Sequence, residues 1–284
     1  MIIDGRKIAS EIIAELKTKP KPDKFFGAVL VGDDAASLNF LKQKERVARE
    51  LGVGFHLYRL APDMNPPHRS MGEMKTDELR REIGRLAGVK TCGGFIVQLP
   101  LPEDVNANYV LNAIPKEKDA DFLSEAALGA FYTGRAKTAP PAAGTVEEIL
   151  RRQSLDLRRL KVVVIGAGFL IGRPVGFWLQ NRVAELTVID TRAPHLRPKL
   201  KEADVVISGA GVANLFSVAD LKEGALVIDF GFNRSDEKFV GDFDVLETEN
   251  HKLEIINYTP TPGGTGPILV AKLFENFYKL NNLR

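Results

Sequence analysis

The 284-residue chain has little of several features that would place it in a special class. It has a single cysteine, Cys92, so no disulfide can form within the chain, which favours a reducing compartment. The net charge of +2 gives no strong attraction to nucleic acid or to an anionic membrane. No apolar run approaches the roughly 18 residues that span a bilayer. The four histidines are scattered without metal-ligand spacing, so we expect no metal site.

What the chain does contain is ordinary for a soluble globular protein, with 44% hydrophobic and 27% charged residues. Its length suits one large domain or two modest ones. The N-terminus, MIIDGRKIAS, turns polar at once and lacks the apolar core of a signal peptide. Together with the lone cysteine, this favours a cytoplasmic protein.

Short apolar runs alternate with amphipathic stretches, which predicts an α/β fold with parallel strands. In the first half we predict strands at 25–32, 54–60 and 93–100, and helices at 37–51, 76–86 and 104–114. From about Val162 the runs KVVVIGAG, ELTVID, ADVVISGAG and GALVIDFGFN have the spacing of a doubly wound dinucleotide-binding domain. Loops are predicted at Pro66–Pro67 with HRSMGEM, and in the Ala/Pro segment of RAKTAPPAAGTVEEIL between the halves.

The stretch VVVIGAGFLIGRP places a glycine turn between a predicted strand and a predicted helix. Gly166, Gly168 and Gly172 are spaced G-x-G-x-x-x-G, one residue longer than the usual dinucleotide fingerprint. A turn without side chains lets backbone N–H groups approach a pyrophosphate at a helix N-terminus. We therefore predict nucleotide binding here; the alternative is a purely structural strand–helix turn.

An acid, Asp190, ends the next predicted strand, LTVID. An acid at this point typically accepts hydrogen bonds from the adenosine ribose and repels a 2′-phosphate, which favours NAD over NADP. Arg192 would instead hold a 2′-phosphate. A third interpretation is that Asp190 only caps a helix that starts near Pro194.

Lys44 lies on the same predicted helical stripe as Phe40, Val47 and Leu51. It is either a surface lysine whose stem lies along the apolar face or a functional amine. Gln98 ends the apolar strand GGFIVQ, where ligands of open α/β sheets bind. Its amide would orient a reactive group there, or would merely bond to a neighbouring loop.

Two further segments admit a ligand-binding or a structural interpretation. In KEKDADFL, either Asp119 or Asp121 holds the donor groups of a ligand, or both serve as turn and cap residues. In TPTPGGTGPILVAKLFENF, from Thr259, the proline- and glycine-rich loop holds a flat ligand against its backbone, or simply joins the last strand to a terminal helix.

The segments that carry a family resemblance are, in chain order, IIDGRKIA, VGDDAASLNFLKQKERVARELG, GGFIVQLPLP, EKDAD, VVVIGAGFLIGRP, GALVIDFGFNR, VGDFDV and TPTPGGTGPILVAKLFEN. Through them the chain resembles the bifunctional methylenetetrahydrofolate dehydrogenase/cyclohydrolase family over essentially its whole length. The blocks VQLPLP and PGGTGP are specific to that family. The resemblance implies two α/β domains around a cleft: 1–120, completed by a C-terminal helix at 264–284, for catalysis and folate, and a Rossmann-like NAD(P)-binding domain at 121–263.

The resemblance also implies an activity. Members of the family oxidise 5,10-methylenetetrahydrofolate with NADP, less often NAD, and hydrolyse the methenyl product to 10-formyltetrahydrofolate, usually as homodimers. By position in the motifs, Lys44 is the catalytic lysine, Gln98 orients it, and Asp121 binds the amino-pyrimidine edge of the pterin. The implied substrate-binding residues are Phe40, Pro262, Gly263 and Gly264. The implied cofactor-binding residues are Gly166, Gly168, Phe169, Ile171, Gly172, Arg173 and Pro174, with Asp190 and Arg192.

Several positions depart from the family pattern. Phe40 replaces a tyrosine and so lacks its hydroxyl, Phe122 replaces a glycine, and APPA at 139–142 replaces a Pro-Cys-Thr-Pro block. Ala167 and Gly168 replace an arginine and a serine in the cofactor turn, which agrees with the preference for NAD that Asp190 indicates.

Three interpretations of the function follow. The first is a divergent enzyme with both activities. The second is an enzyme that keeps one activity or acts on a related one-carbon or pterin substrate. The third is a non-catalytic protein that binds folate or nucleotide.

Overall fold

A computed structural model describes residues 1–60, 71–235, 238–245 and 256–281 of the chain. The chain divides into two compact units. We call Glu11–Pro141 with Val270–Arg284 the first unit, and Met1–Ser10 with Ala142–Leu269 the second unit. The functional domains expected from the sequence, with boundaries at 120/121 and 263/264, stay a prediction. Across the described ranges, no helix is both long and apolar enough to cross a membrane.

The described residues form the following helices and strands, which alternate through β3 and again from β4 to β6. The helices are α1 (Gly5–Lys17), α2 (Ala35–Glu50), α3 (Met71–Gly88), α4 (Ala107–Leu111), α5 (Glu125–Tyr132), α6 (Pro141–Arg152), α7 (Gly172–Leu179), α8 (Leu196–Glu202) and α9 (Thr265–Leu280). The strands are β1 (Phe25–Val31), β2 (Phe55–Leu60), β3 (Cys92–Val97), β4 (Lys161–Ile165), β5 (Glu185–Ile189), β6 (Val205–Ser208), β7 (Phe216–Ser217), β8 (Leu226–Asp229), β9 (Asn233–Ser235), β10 (Lys238–Val240), β11 (Phe243–Asp244) and β12 (Asn257–Tyr258).

The predicted strands and helices are confirmed. The predicted loop in the Ala/Pro segment is confirmed up to Pro140 and is wrong from Pro141 onward. Helix α6 begins at Pro141 and includes the residues that follow it. Proline is favourable at the first helical position, because its missing N–H would have no intrahelical partner there and its φ already suits a helix. Pro66–Pro67 lie outside the described residues, and α3 begins earlier than predicted, at Met71.

The first unit contains a three-stranded parallel sheet in the order β2-β1-β3. The last turns of α9 pack on it through aromatic rings. The Phe26 ring of β1 lies 5.3 Å from that of Phe274 and 5.4 Å from that of Phe277, and all three side chains are fully buried. A Cβ at Gly94 in β3 would lie only 2.6 Å from the Phe277 ring, so glycine lets α9 approach the sheet closely.

The second unit contains a five-stranded parallel sheet in the order β12-β8-β6-β4-β5. From β4 the chain first goes outward to β5 and then crosses to β6 on the other side. The strand order therefore reverses between β4 and β6, and the carboxyl ends of strands at such a point are where α/β proteins bind ligands. A core behind the sheet comprises Val163, Ile165, Leu196, Leu200, Val206, Phe216, Val227 and Phe243, among others.

Candidate active site

Helix α2 carries Lys44 on its half-buried side. The helix begins after Asp34, whose carboxylate accepts a hydrogen bond from the backbone N–H of Ser37 at 2.7 Å. Leu41 and Ala48 are fully buried, which fixes this face against the sheet. Lys44 and Phe40 lie one turn apart and are both half-buried. The predicted stripe is therefore confirmed, and it leaves the amine at the edge of the core.

The side chains of Lys44 and Gln98 meet. Lys44 Nζ donates a hydrogen bond to Gln98 Oε1 at 3.0 Å. Gln98 follows β3 directly; its backbone N–H donates to Val29 O at 2.8 Å and its Nε2 to Leu99 O at 2.9 Å. Because Nε2 is held by a carbonyl oxygen, the amide oxygen is the atom that faces the amine. The prediction that Gln98 orients a reactive group thus has the geometry that it needs.

Asp121 supplies the charge next to this pair. Burial lowers the pKa of Lys44, and the negative charge of Asp121 partly opposes that effect. Burial likewise raises the pKa of Asp121, and Lys44 partly opposes it. The structure therefore brings together Lys44, Gln98 and Asp121, the three side chains that the family resemblance assigns to the catalytic and pterin-binding site.

The neighbouring acid, Asp119, has a different role. Its Oδ1 accepts the N–H of Leu123 at 3.0 Å, and its Oδ2 accepts the N–H and the hydroxyl of Ser124, each at 2.7 Å. Burial raises the pKa of Asp119 to about 6, against the effect of these bonds. Of the two interpretations of KEKDADFL, the turn role applies to Asp119, whereas Asp121 faces Lys44.

Asn276 of α9 is a functional candidate that the sequence analysis missed. Its Nδ2 donates to Ala120 O at 2.9 Å and to Ala139 O at 2.8 Å, and its side chain is buried. The bond to Ala120 fixes the backbone next to Asp121. An asparagine inside the apolar stretch ILVAKLFENF was the available signal, because a buried amide needs partners.

Phe122, which follows Asp121, adopts a left-handed backbone with φ = 58°. This region is unfavourable for a residue with a Cβ, which explains why glycine would suit the position. The Phe122 side chain is only 5% exposed and meets the Phe131 ring edge-on, with 5.9 Å between centroids. The free energy gained by burying the Phe122 ring therefore offsets the cost of the left-handed backbone, which a glycine would not incur.

The glycine turn of the second unit is built as predicted. Gly166 has φ = +86°, and a Cβ at Gly172 would lie 1.8 Å from Gly166 O, so no larger residue fits there. A Cβ at Gly168 would meet open space. Helix α7 starts at Gly172, and the Arg173 guanidinium folds back to donate from Nε to Ala167 O at 2.9 Å. The turn thus offers backbone without side chains at a helix N-terminus, as a pyrophosphate requires.

Asp190 and Arg192, which the sequence offered as competing ligands, are paired with each other. Asp190 Oδ1 accepts from Arg192 Nε at 2.8 Å and from its backbone N at 3.0 Å, and Oδ2 accepts from its terminal nitrogen at 3.2 Å. The hydrogen bond from Arg192 lowers the pKa of Asp190 to about 2. Helix α8 begins at Leu196 after His195, so the interpretation of Asp190 as a helix cap is wrong.

The proline- and glycine-rich loop joins β12 to α9 in the second unit. Gly263 has φ = +103°, and Gly264 donates its N–H to Pro260 O at 2.8 Å. A Cβ at Gly5 would lie 1.7 Å from Gly264 O, so two backbones meet there. The hydroxyl of Thr265 donates to Asp229 O at 2.8 Å. Pro262, Gly263 and Gly264 thus lie in a tightly tethered loop.

The fold and these residues define a class: an α/β protein with a dinucleotide-type glycine turn in one unit and a desolvated lysine beside a glutamine and an aspartate in the other. Residues 3–121 match the catalytic domain of tetrahydrofolate dehydrogenase/cyclohydrolase, and residues 140–284 match the NAD(P)-binding domain of the same enzymes. The chain belongs to the tetrahydrofolate dehydrogenase/cyclohydrolase family.

Individual relatives agree with this assignment. The chain is 35% identical to the bifunctional protein FolD of Halothermothrix orenii over 98% of this chain and 96% of the relative. It is similar to the crystal structure of FolD from Campylobacter jejuni, with 30% identity, a TM-score of 0.88 and coverage of 100% and 99%. FolD of Trypanosoma brucei, complexed with NADP and an inhibitor, has 27% identity, a TM-score of 0.88 and coverage of 99% and 97%.

Proposed function

We propose that the chain oxidises 5,10-methylenetetrahydrofolate to the 5,10-methenyl form with NAD(P), and hydrolyses that product to 10-formyltetrahydrofolate. The observation that carries the proposal is the hydrogen bond of 3.0 Å between Lys44 and Gln98, with Asp121 beside them. Burial lowers the pKa of Lys44 and so favours the neutral amine, the form that can act as a base in the hydrolytic step.

Lys44 acts in the hydrolysis. A water molecule attacks the methenyl carbon and gives one proton to the neutral amine. The bond between that carbon and N5 then breaks, N5 takes the hydroxyl proton of the adduct, and the carbon remains on N10 as the formyl group. The Gln98 oxygen accepts one N–H of the amine and so directs its lone pair elsewhere, toward the water. Asp121 holds the amino-pyrimidine edge of the pterin, and the flat ring of Phe40 stacks on the pterin without the hydroxyl of a tyrosine. Pro262, Gly263 and Gly264 contact the folate through backbone.

The second unit binds the nicotinamide dinucleotide. The residues fit it, because the turn presents bare backbone before a helix N-terminus and a Cβ at Gly168 would meet open space, so a ligand can approach there. When bound, the dinucleotide accepts the hydride from the one-carbon unit. The turn holds the pyrophosphate through Gly166, Gly168, Phe169, Ile171, Gly172, Arg173 and Pro174.

We further propose that NAD is preferred over NADP. Asp190 is ionised at any neutral pH, since Arg192 lowers its pKa to about 2. Its carboxylate would repel a 2′-phosphate and accept hydrogen bonds from a ribose hydroxyl. Arg192 is already engaged by Asp190, so a 2′-phosphate would have to compete for it.

The setting that we propose is a cytoplasmic homodimer without a nucleic-acid or membrane partner. The net charge of +2 gives little attraction to nucleic acid or to an anionic membrane surface, which supports this proposal. Cys92, the one cysteine, is buried and free, which suits a reducing compartment.

A two-cofactor assay tests the proposal. Purified protein, 5,10-methylenetetrahydrofolate and either NAD or NADP should produce the absorbance of the methenyl product, which then decays as it is hydrolysed. Accumulation without decay would indicate that only the dehydrogenase is present. Folate binding without turnover of either cofactor would contradict the proposal in favour of a non-catalytic protein.

A further inference from the structure

Two buried carboxylates of the second unit, those of Asp229 and Asp242, lie near the carboxyl ends of β8 and β6, and the proposed reaction uses neither. Asp229 ends β8, and Asp242 precedes β11 in the motif VGDFDV. Their side chains are 2% and 0% exposed. Buried carboxylates are costly without partners, so the partners of these two indicate their purpose.

Asp242 directs both of its oxygens at one loop. Oδ2 accepts from Ser208 Oγ at 2.6 Å, from Ala210 N at 2.8 Å and from Gly211 N at 3.3 Å. Oδ1 accepts from Val212 N at 2.9 Å and from Asn233 Nδ2 at 3.1 Å. Three consecutive backbone N–H groups, those of residues 210–212, thus donate to one carboxyl side chain.

That loop runs against the glycine turn. The register of β4 and β6 pairs Ile165 with Ser208, so that Gly166 and Gly209 follow side by side. A Cβ at Gly166 would lie 3.0 Å from Gly209 O, and a Cβ at Gly209 would lie 2.6 Å from the Ile171 side chain. The loop therefore forms the β6 side of the point where the strand order reverses, and the glycine turn forms the β4 side.

Asp229 keeps Asp242 in place. Its Oδ1 accepts from Gly231 N at 2.7 Å, and its Oδ2 accepts from Phe243 N at 3.0 Å, one residue after Asp242. A Cβ at Gly231 would lie 2.3 Å from Asp242 Oδ1, and one at Gly241 would lie 2.0 Å from Asp229 Oδ2. Glycines at both positions let the two carboxylates lie directly against the backbone of residues 231 and 241.

We propose that Asp242 is a positioning residue for dinucleotide binding, because it holds the loop 209–212 in the conformation that closes the cofactor cleft opposite the glycine turn. The inference rests on the proposed function and deepens it. Asp242 does not touch the cofactor in this account; it acts through the backbone that it holds. Loss of Asp242 should therefore weaken the binding of NAD and NADP alike and leave the Lys44 site, in the first unit, unaffected.

Asp242→Asn and a milder variant test the inference in the full-length protein. An asparagine replaces one acceptor oxygen with an NH2 donor that faces other donors, so the loop loses its anchor. Asn233→Ala removes a single bond to Asp242. The matched control is Asp220→Asn, a buried carboxylate of the same unit that accepts from Ser217 N at 3.0 Å and pairs with Arg197.

Two properties of each variant are measured. The Kd values of NADH and NADPH are measured by energy transfer from Trp178, the one tryptophan. Hydrolysis of methenyltetrahydrofolate is measured without dinucleotide.

The expected result is a rise of at least about tenfold in both Kd values for Asp242→Asn, and about threefold for Asn233→Ala, with hydrolysis within about twofold of wild type. If Asp242→Asn fails to fold, Asn233→Ala decides alone. Kd values in both folded variants that match those of Asp220→Asn would overturn the inference. A wild-type protein that binds neither dinucleotide would contradict the proposed dehydrogenase as well, whereas normal wild-type binding with unaffected variants contradicts only the role of Asp242.

Discussion

Lys44 and Gln98 lie 54 positions apart in the sequence, and the amine of the first donates a hydrogen bond to the amide oxygen of the second at 3.0 Å. One residue comes from a helix and the other from the end of a strand. The pair exists because α2 packs on the sheet that ends at Gln98. Its chemistry follows from burial, which lowers the pKa of the amine.

Replacement of Lys44 tests its role as a base. Lys44→Met should reduce hydrolysis of methenyltetrahydrofolate by about 10²- to 10⁴-fold, the usual contribution of a general base. Hydride transfer should persist in part, since it needs no proton from this amine. Lys42→Met is the matched control, because Lys42 is exposed on the same helix. Normal hydrolysis by Lys44→Met would make Lys44 a surface lysine that only covers apolar residues.

Removing the charge of Asp121 should shift the pH dependence of hydrolysis. Asp121 raises the pKa of Lys44, so in Asp121→Asn the amine loses its proton at lower pH. The acidic limb of kcat, measured at saturating substrate, should therefore move to lower pH. Glu45→Gln removes an exposed charge that pairs with Arg49 and should leave the limb in place. An acidic limb that stays in place would contradict the influence of Asp121 on Lys44, and a basic limb that moves downward instead would show that the amine works in its charged form.

The Asp190–Arg192 pair should control cofactor choice. Asp190→Ser removes the repulsion of a 2′-phosphate and releases Arg192, so the ratio of kcat/KM for NADP to that for NAD should rise by about tenfold. The pKa of Asp190 is about 2 and the second pKa of a phosphate monoester is about 6, so the wild-type ratio should be constant from about pH 7 to 9, where both groups are ionised. Asp156→Ser, which breaks another exposed pair with Arg159, is the control. An unchanged ratio would exclude Asp190 from contact with the ribose.

Asp229 should make the second unit less stable as the pH rises. Burial raises its pKa in the folded protein to about 7, above the value of about 3.9 of an unfolded aspartate. The folded state therefore binds the extra proton between these values, and stability falls from about pH 4 to 7 by on the order of 2–4 kcal/mol.

Comparison of wild type with Asp229→Asn isolates this effect. The difference in unfolding free energy between them, followed by Trp178 fluorescence, should change across that pH range in favour of the asparagine variant. A difference that does not vary with pH would mean that Asp229 titrates normally.

Phe122 offers a test of backbone strain beside the active site. Phe122→Gly and Phe122→Ala both lose a buried ring, which costs about 3–5 kcal/mol, more than the 1–2 kcal/mol or so of a left-handed backbone. Both should thus destabilise the protein, but the glycine variant should be about 1 kcal/mol more stable than the alanine variant. Urea unfolding followed by circular dichroism measures the difference. A more stable alanine variant would contradict strain at this position.

Much of the fold could be predicted because its signals are local. The buried runs of β4, β6 and β8, and the glycine turn before α7, are each contained within a dozen residues. The wrong prediction, at Pro141, arose because proline has two opposite local meanings, a break within a helix and a favoured start.

The site was less predictable wherever partners are distant or compete. Asp190 and Arg192 looked like rival ligands because sequence gives no side-chain direction, and in the structure each is the other's partner. Asp119 and Asp121 are two residues apart, yet Asp119 accepts hydrogen bonds from its own turn whereas Asp121 interacts with Lys44. Only their surroundings in the fold distinguish the two. Asn276 was missed because its partners, Ala120 and Ala139, are backbone carbonyls more than a hundred residues away.

The packing of α9 on the first unit has a consequence for the order of folding. The strands of that sheet lie within residues 25–97, whereas the rings that cover Phe26 come from Phe274 and Phe277, and the five-stranded sheet of the second unit is encoded between them. Contacts of such large sequence separation close long loops, which slows their formation. We therefore expect the aromatic core of the first unit, and with it the bond from Asn276 that fixes the backbone next to Asp121, to form late in folding.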